Sequence, residues 1–359
     1  MSPSLSVLDM RMNEFEGTIP SNISSRSLTT LNLQFNHLRG NIPSSLAECV
    51  NLKVLDLGNN NLNASFPSWL GVLPNLKVLS LRSNRFHGKI LLSTTSSFSK
   101  LQILDLSRNQ FIGTLPPMLF QSFSSMMEID QTSKAANYMG DDQYYKDSTT
   151  LVNKGIETEL VRILTIWTTI DLSSNNFEVN IPNSVGNLRS LRQLNFSNNR
   201  LTGEIPISFE NLSVLESLDI SSNQLTGTIP KQLTTLHFLS KLNLTHNHLT
   251  GRIPVGTQFQ TFESDSYIDN DGLCGIPLSE TCEGDKDHVV DYAHDSDFFD
   301  GFGWRCVLIG YGVGTVLGLW IGFLMIQTET PEWLIIMIES VGYKIVMKLD
   351  KKNKISKRT

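Results

Sequence analysis

The sequence lacks the residue patterns that most enzyme classes require. Its 359 residues include only four cysteines and seven histidines, and these have no spacing typical of a metal site. The strings H-E-x-x-H, G-x-S-x-G, H-R-D and D-F-G are absent, as is a glycine-rich phosphate loop. We therefore expect no catalytic residues, no metal site, no cofactor and no enzyme activity.

Cysteine is also too scarce for a disulfide-dense scaffold, so the fold must bury its own core. No secretory signal is visible, because the first residues have neither a basic start nor an apolar core. They already fit a repeat, which predicts a chain truncated at its N-terminus. The net charge of −6 combines an acidic and a basic block near the C-terminus, an arrangement that indicates a membrane and not nucleic acid.

One repeated pattern, L-x-L-x-x-N-x-L, dominates the chain. Its asparagines are Asn13, Asn36, Asn60, Asn84, Asn109, Asn175, Asn199, Asn223 and Asn247. Successive spacings are 23, 24, 24, 25, 66, 24, 24 and 24 residues, so nine matches share one period. Removing one period from the gap of 66 leaves about 42 extra residues, which predicts a single insertion. We name this insertion the island and place it at residues 126–168.

The period has a mechanical cause. In Leu55-Asp56-Leu57 apolar and polar residues alternate, as in a short strand with one buried face. Each repeat therefore contributes one strand to a parallel sheet, and the leucines are buried only when successive coils stack. The asparagine that follows carries both a donor and an acceptor, so it can satisfy backbone groups of its own and of adjacent coils. The nine asparagines are predicted to form a structural ladder.

A second signature, G-x-I-P, follows the asparagine in most repeats, as in Gly203-Glu-Ile-Pro206. Glycine allows a tight backbone and proline an extended one, so the convex side is bent. Val179-Asn-Ile-Pro182 departs from the pattern because it lacks the glycine. The G-x-I-P form resembles the plant-specific leucine-rich repeat. The island, with its Asn153-Lys-Gly-Ile-Glu turn before the last four repeats, resembles plant receptor-like proteins of the Cf-type disease-resistance class.

The resemblance implies an α/β fold, a plant-type leucine-rich-repeat solenoid with a parallel sheet on its concave face and an irregular or 3-10 convex side. It also implies a C-terminal cap in which Cys274 and Cys282 form a disulfide. A free-thiol state of these two residues remains the alternative. The expected function is a cell-surface receptor without a kinase, because a tail of about thirty residues cannot hold one.

A single transmembrane helix is expected after the cap. Residues 306–326 contain no charge and would be about 31 Å long as a helix. The preceding side chains are mostly acidic and the following ones mostly basic, which places the C-terminus in the cytosol and the repeats outside at the plasma membrane. Residues 333–347 are apolar and flanked by lysines, so they fit the headgroup layer or, alternatively, a second span.

Within this predicted helix, four glycines recur at every fourth residue and share one face, where another helix can approach closely. They are Gly310, Gly314, Gly318 and Gly322. In the family that the sequence resembles, such a stripe is associated with an adaptor receptor-like kinase. The resemblance further implies a co-receptor kinase at the last four repeats and a peptide or protein ligand whose identity the sequence does not specify.

Glycosylation sequons stand at Asn22, Asn63, Asn195, Asn211 and Asn243. Asn195 and Asn243 occupy an outward position of a concave strand, where a glycan would obstruct the last four repeats. We therefore expect ligand contacts before the island or on the island itself.

These observations divide the chain into six segments. They are a first repeat block at 1–125, the island at 126–168, four repeats at 169–262, a capping loop and acidic juxtamembrane segment at 263–303, a transmembrane helix at 304–327 and a basic cytoplasmic tail at 328–359. Two alternatives remain: a soluble repeat inhibitor of cell-wall-degrading enzymes, which the apolar span disfavours, and a non-signalling receptor fragment with an open edge at Leu5, Val7 and Leu8.

Overall fold

A computed structural model describes residues 4–93, 96–129, 138–141, 145–153, 156–282, 311–320 and 323. The chain divides into two units, Met1–Gly284 and Asp285–Thr359. The first unit contains all the repeats, the island and the cap.

The first unit is a solenoid with one parallel sheet, here called the concave sheet. Its strands are hydrogen-bonded in sequence order, one per coil. Over the described ranges they are Val7–Asp9, Thr30–Asn32, Val54–Asp56, Val78–Ser80, Ile103–Asp105, Thr169–Asp171, Gln193–Asn195, Ser217–Asp219 and Lys241–Asn243. Thr169–Asp171 pairs in parallel with Ile103–Asp105, so the sheet continues without interruption across the island.

The opposite side of each coil is built from short strands and 3-10 turns. Two further parallel sheets contain Glu16–Thr18, His37–Gly40 and Asn61–Leu62, and then His87–Gly88, Gln110–Thr114, Asn176–Asn180, Arg200–Glu204, Gln224–Thr228, His248–Arg252 and Gly272–Cys274. The 3-10 helices are Ser44–Glu48, Ser68–Val72, Asn183–Asn187, Ile207–Asn211, Lys231–Thr235, Phe259–Thr261 and Ser264–Ser266. Of two short α-helices, Pro117–Gln121 precedes the island and Ser124–Met127 extends into its first residues.

The core is a continuous column of leucine, isoleucine and phenylalanine side chains between these two sides. The central residue of each concave strand points into it, as Leu55, Leu79 and Leu104 do. Phe111 stacks between Phe86 and Phe177 with ring centroids 6.2 and 6.1 Å apart, so aromatic packing continues across the coils that flank the island.

The asparagines form the hydrogen-bond ladder in the structure. Asn84 illustrates the pattern: its Nδ2 donates to the carbonyls of Leu57, Leu81 and Arg82 at 3.0 to 3.2 Å, and its Oδ1 accepts from the N–H of Leu62 at 2.9 Å. One side chain thus forms hydrogen bonds with two backbone groups of the preceding coil and two of its own coil. Asn13, in the first coil, is exposed, and in the described contacts its side chain donates to the carbonyls of Met10 and Arg11, both in its own coil.

A tenth asparagine, Asn270, belongs to the same ladder. Its Nδ2 donates to the carbonyls of Leu244 and Tyr267, and its Oδ1 accepts from Leu249. The preceding residue, Asp269, has a φ of 57°, as each residue before a ladder asparagine has a positive φ. The first part of the predicted capping loop is therefore a tenth coil, although it lacks the L-x-L strand pattern.

Val179 occupies a backbone position where neighbouring coils have glycine. Its φ is 69°, against 76° at Gly203 and 78° at Gly227. A β-branched side chain is strained in this left-handed region, at a cost of about 1 to 2 kcal/mol. Val179→Gly should raise the free energy of unfolding by about 1 kcal/mol, measured by denaturant titration, because 47% of the valine is exposed and little packing is lost. Val179→Ala, still strained, is the control, and lower stability of the glycine variant would contradict the prediction.

In the second unit, residues 311–320 are helical. The remaining residues of the predicted transmembrane helix, the acidic segment from 283 onward and the tail at 328–359 lie outside the described residues, apart from residue 323. No helix in the described part of the chain has the length and apolar character needed to cross a membrane.

Candidate binding surface

The island folds back onto the concave sheet of the first repeat block. Its described part includes two antiparallel pairs, Gly140–Asp141 with Tyr145–Lys146 and Thr149–Asn153 with Ile156–Leu160. The second pair makes hydrogen bonds to residues that precede it by 68 and 93 positions in the chain. The island is thus an ordered element of the binding surface.

An apolar cluster joins the island to the sheet. Val54, Val78 and Ile103 are outward residues of successive concave strands, and they pack with Met139, Leu151 and Ile163 of the island. All six are buried, and Leu160 and Trp167 pack against them. Apolar residues at outward positions would otherwise face water, so this cluster provides the hydrophobic contribution to docking.

Polar contacts flank the apolar cluster. The hydroxyl of Thr149 donates to Asp56 Oδ2 at 2.9 Å, and the hydroxyl of Thr30 donates to Asp147 Oδ1 at 2.7 Å. At the edge of the sheet, Arg11 Nη1 lies 2.8 Å from Glu159 Oε1. The island therefore contacts concave strands from the first to the fifth.

Burial along the sheet differs on the two sides of the island. Each concave strand has two outward residues, its first and its third. The third is fully buried at Asn32, Asp56 and Ser80 but only half-buried at Asp219 and Asn243. Lys241 is exposed. We expected ligand contacts before the island or on it, but the island covers the middle of the concave face before it. The uncovered concave surface lies on the last strands.

Buried carboxyls lie beneath and beside the island. Burial raises the pKa of Asp56 to about 6, although hydrogen bonds from the Gly58 N–H and Thr149 partly oppose this. Burial, with the neighbouring Asp105, raises the pKa of Asp171 to about 7. The pKa of Asp147 in the island is also raised by burial and partly lowered by its hydrogen bond from Thr30. These groups bind protons more tightly here than in water.

Arg82 is the buried cation of this region. Its Nε lies 3.8 Å from Asp105 Oδ2, with 1% and 2% of the two side chains exposed. Its Nη1 donates to the Thr150 carbonyl of the island at 3.4 Å. Burial raises the pKa of Asp105, and Arg82 partly opposes that shift. One guanidinium therefore contacts both the sheet and the island.

A cleft of about 440 Å³ lies where the island returns to the repeats. Its walls include Lys77, Gln102, Glu128, Thr165 and Arg192. Burial lowers the pKa of Lys77. Because residues of the island and of the coils line the cleft together, its shape depends on how the island docks.

The cap contains the two cysteines that the resemblance pairs. Cys274 and Cys282 form a disulfide in the structure, with Cα atoms 5.1 Å apart. Cys274 ends the strand Gly272–Cys274, which pairs with the last G-x-I-P strand. Cys49 is buried and unbridged in the core. Cys306 lies outside the described residues.

The five sequons fall into two groups. Asn22, Asn63 and Asn211 are exposed on the coils, while Asn195 and Asn243 are half-buried on the concave sheet. The Nδ2 atoms of the latter two donate to Asp171 and Asp219 at 3.3 Å. A glycan on either would project over the uncovered part of the sheet.

Gly314 and Gly318 of the predicted membrane stripe lie in the described helix, and no heavy atom of a neighbouring element lies within 4 Å of a Cβ built on either. Gly310 and Gly322 lie outside the described residues. Within the described ranges, no group of histidine, cysteine or acidic side chains is arranged to hold a metal ion.

Sequence reasoning did not identify the tenth ladder asparagine, Asn270, or the buried cation, Arg82. It also did not identify the outward apolar residues Val54, Val78 and Ile103. A signal for the last three was present in the sequence. The same outward position is apolar at Val7 and in these three successive strands of the first block, and it becomes Thr169, Gln193, Ser217 and Lys241 at the end of the island and after it. A row of apolar side chains on part of an otherwise polar sheet face predicts that another segment or protein covers it.

Comparisons with known proteins agree with the repeat architecture. Leucine-rich-repeat family models match residues 26–86 and 197–249, and residues 4–25, 100–122 and 167–188. Among solved structures, a plant ice-binding protein superposes with a TM-score of 0.59 at 27% identity, covering 79% of this chain and 77% of that one. The Arabidopsis receptor kinase HAESA, in complex with the peptide hormone IDA and the co-receptor SERK1, superposes with a TM-score of 0.53 at 30% identity, covering 78% and 43%.

Curated relatives are more similar in sequence. The chain is 52% identical over 245 residues to Receptor-like protein 9DC3 of Solanum pimpinellifolium, covering 67% of this chain and 28% of that protein. It is 50% identical over 267 residues to Receptor-like protein Cf-9 of the same species, covering 72% and 31%. The chain thus spans under a third of the length of these two relatives. With its stacked coils, asparagine ladder and capped end, the chain belongs to the plant leucine-rich-repeat receptor-like proteins.

Proposed function

We propose that this chain is the membrane-proximal part of a cell-surface receptor in plant defence that recognises a peptide or protein ligand and signals through partner kinases. The observation that carries the proposal is that the island covers concave strands of the first block and leaves the last strands uncovered. Its last strands present polar, partly exposed residues such as Asp219, Lys241 and Asn243, which suit a protein partner. The similarity to Cf-9 supports the defence role, and the HAESA complex supports a ligand and co-receptor at such a solenoid.

Residues 304–327 anchor the receptor as a single transmembrane helix, with the repeats outside the plasma membrane and the tail at 328–359 in the cytosol. The charge-free run and the opposed acidic and basic flanks support this topology. In the described helix, apolar side chains such as Leu319 and Trp320 are 76% and 62% exposed, as lipid contact requires.

The glycine stripe of this helix binds an adaptor receptor-like kinase, and the last four repeats contact a co-receptor kinase. Small residues in one row let two helices approach closely in lipid. Asn195 and Asn243 lie on the proposed co-receptor side, so glycans there would limit how much of the sheet a partner can reach.

The test uses the full tagged chain, expressed in plant cells behind an added secretory signal. Wild type should remain in membranes after carbonate extraction and co-purify with a receptor-like kinase. Replacing Gly310, Gly314, Gly318 and Gly322 together with leucine should reduce kinase recovery about tenfold or more. Gly312→Leu, outside the stripe, is the matched control and should leave recovery unchanged.

Two outcomes would contradict the proposal. Release of the wild-type chain by carbonate would exclude the membrane anchor, and full kinase recovery with the quadruple variant would exclude the glycine stripe as the adaptor site.

A further inference from the structure

We infer that the island strands Thr149–Asn153 and Ile156–Leu160 form a reversible, proton-dependent cover of the concave sheet. At acidic pH it stays docked over the outward faces of Thr30–Asn32, Val54–Asp56, Val78–Ser80 and Ile103–Asp105. A rise in pH releases it and exposes this surface to ligands and partners. The inference adds regulation to the proposed receptor, but the docking itself concerns only the island and the sheet.

The docked interface combines a small apolar centre with hydrogen bonds to carboxyls. Leu151 and Ile163 pack on Val54, Val78 and Ile103, while Thr149 donates to Asp56 beside them. This pairing spans 93 positions of the chain. The Asp56 carboxyl therefore lies in the same buried interface as the apolar side chains that pack the island on the sheet.

Several buried polar atoms in the covered strands are not satisfied by the docked island. The Nδ2 of Asn32 and both amide atoms of Gln34 have no hydrogen-bond partner among the described residues, and both side chains are fully buried. Water would satisfy these atoms after release. Desolvation of these polar atoms thus destabilises the docked state. A modest change in another free-energy contribution can therefore shift the equilibrium between the docked and the released island.

Ionisation supplies that change. Burial raises the pKa of Asp56, which accepts a hydrogen bond from Thr149 of the island, from 3.8 to about 6. Other titratable or charged groups on or beside the packed elements are Asp9 on the first strand, Arg11 just after it, Arg82 and Arg108 just after the fourth and fifth strands, Asp105 on the fifth, Asp171 on the sixth, Lys53 and Lys77 before their strands, and Asp147 and Glu159 on the island.

The direction follows from proton linkage. A carboxyl with a raised pKa in the docked state binds protons more tightly there than in the released state. For Asp56 this stabilising contribution is complete below pH of about 4 and is lost as pH rises through about 6. The shift from 3.8 to about 6 limits the resulting change in the docking equilibrium to about 100-fold.

The solenoid can tolerate release of the island. In the strands after the island, Asp219 and Asn243 occupy the same outward position while partly exposed, and Lys241 faces solvent. The ladder and the leucine column lie on the inner side of the sheet and do not include the island cluster. Opening the cover therefore leaves the core of each coil intact.

The test is hydrogen–deuterium exchange of the full chain in detergent at about pH 5 and about pH 7.5, corrected for intrinsic exchange. Amides of Thr149–Asn153 and Ile156–Leu160 should lose protection about tenfold or more at the higher pH, while Ser217–Asp219 and Lys241–Asn243 stay unchanged. Equal island protection at both values would overturn the inference, whatever the outcome of the kinase experiment.

Two variants isolate the cause. Asp56→Asn keeps the shape and can accept from Gly58 and donate to the Thr149 hydroxyl, so it should preserve island protection at the higher pH. Asp219→Asn, in the same position of an uncovered strand, is the matched control and should behave as wild type. Leu151→Asp should expose the island at both pH values and thereby report the released state. If Asp56→Asn leaves the pH dependence unaltered, the assignment to this carboxyl is wrong.

Discussion

Replacing Arg82 with leucine should lower the free energy of unfolding of the first unit, measured with the island docked, by about 4 kcal/mol. The substitution leaves Asp105 buried without its cation at 3.8 Å, with 2% of the carboxyl side chain exposed. Because Arg82 opposes the effect of burial on the pKa of Asp105, its removal raises that pKa further. Denaturant unfolding followed by circular dichroism measures the change.

The loss should depend on pH in a defined direction. As pH falls, the Asp105 carboxyl of the variant takes up a proton more readily than that of the wild type, so the cost of burying a negative charge falls and the destabilisation should shrink. The double variant Arg82→Leu with Asp105→Asn should regain most of the lost stability at the same pH as the single variant.

The pair of Arg192 and Glu216 provides the control. These side chains are 27% and 25% exposed, and their N–O distance is 2.5 Å. Arg192→Leu should cost about 1 kcal/mol, since solvent screens a partly exposed pair. If Arg82→Leu lost no more stability than Arg192→Leu, Arg82 would not be the cation that stabilises the buried carboxylates.

Replacing Asn84 with alanine should lower the free energy of unfolding by about 3 kcal/mol. The variant leaves the Leu62 N–H without its acceptor and takes one donor from three carbonyls, two in its own coil and one in the preceding coil. Stability in a solenoid is a sum over neighbouring interfaces, so this loss weakens the joint between two coils. The same denaturant titration measures it.

Asn13→Ala is the matched control for the ladder. Asn13 is exposed and donates to two carbonyls of its own coil. Its replacement should cost well under 1 kcal/mol, because water can satisfy the same groups. Equal losses at positions 13 and 84 would mean that the ladder stabilises the fold through the asparagine backbone and not through its side chain.

The coils could be predicted because their signals are local. Each L-x-L strand and each asparagine lies within one period of 23 to 25 residues, and the same backbone geometry recurs wherever the pattern does. Asn270 was missed because Asp265-Ser266-Tyr267 stands where the other repeats have L-x-L. Stacking on the ninth coil, and not local sequence, gives that segment its ladder geometry.

The binding surface could be predicted only in part. The boundaries of the island follow from the gap between Asn109 and Asn175, but its docking depends on contacts such as Thr30 with Asp147, which are 117 positions apart. Val54, Val78 and Ile103 indicate that something covers the sheet. They do not specify whether the cover is the island or another protein, since any apolar surface of suitable shape can bury them.

The sequence by itself determined the repeat, its asparagine ladder, the place of the island and the family resemblance, because each depends on spacing along the chain. Only the tertiary structure decided which half of the concave face is covered, and which carboxyls change their affinity for protons. Both depend on how much water remains around side chains far apart in the sequence, and spacing does not measure that.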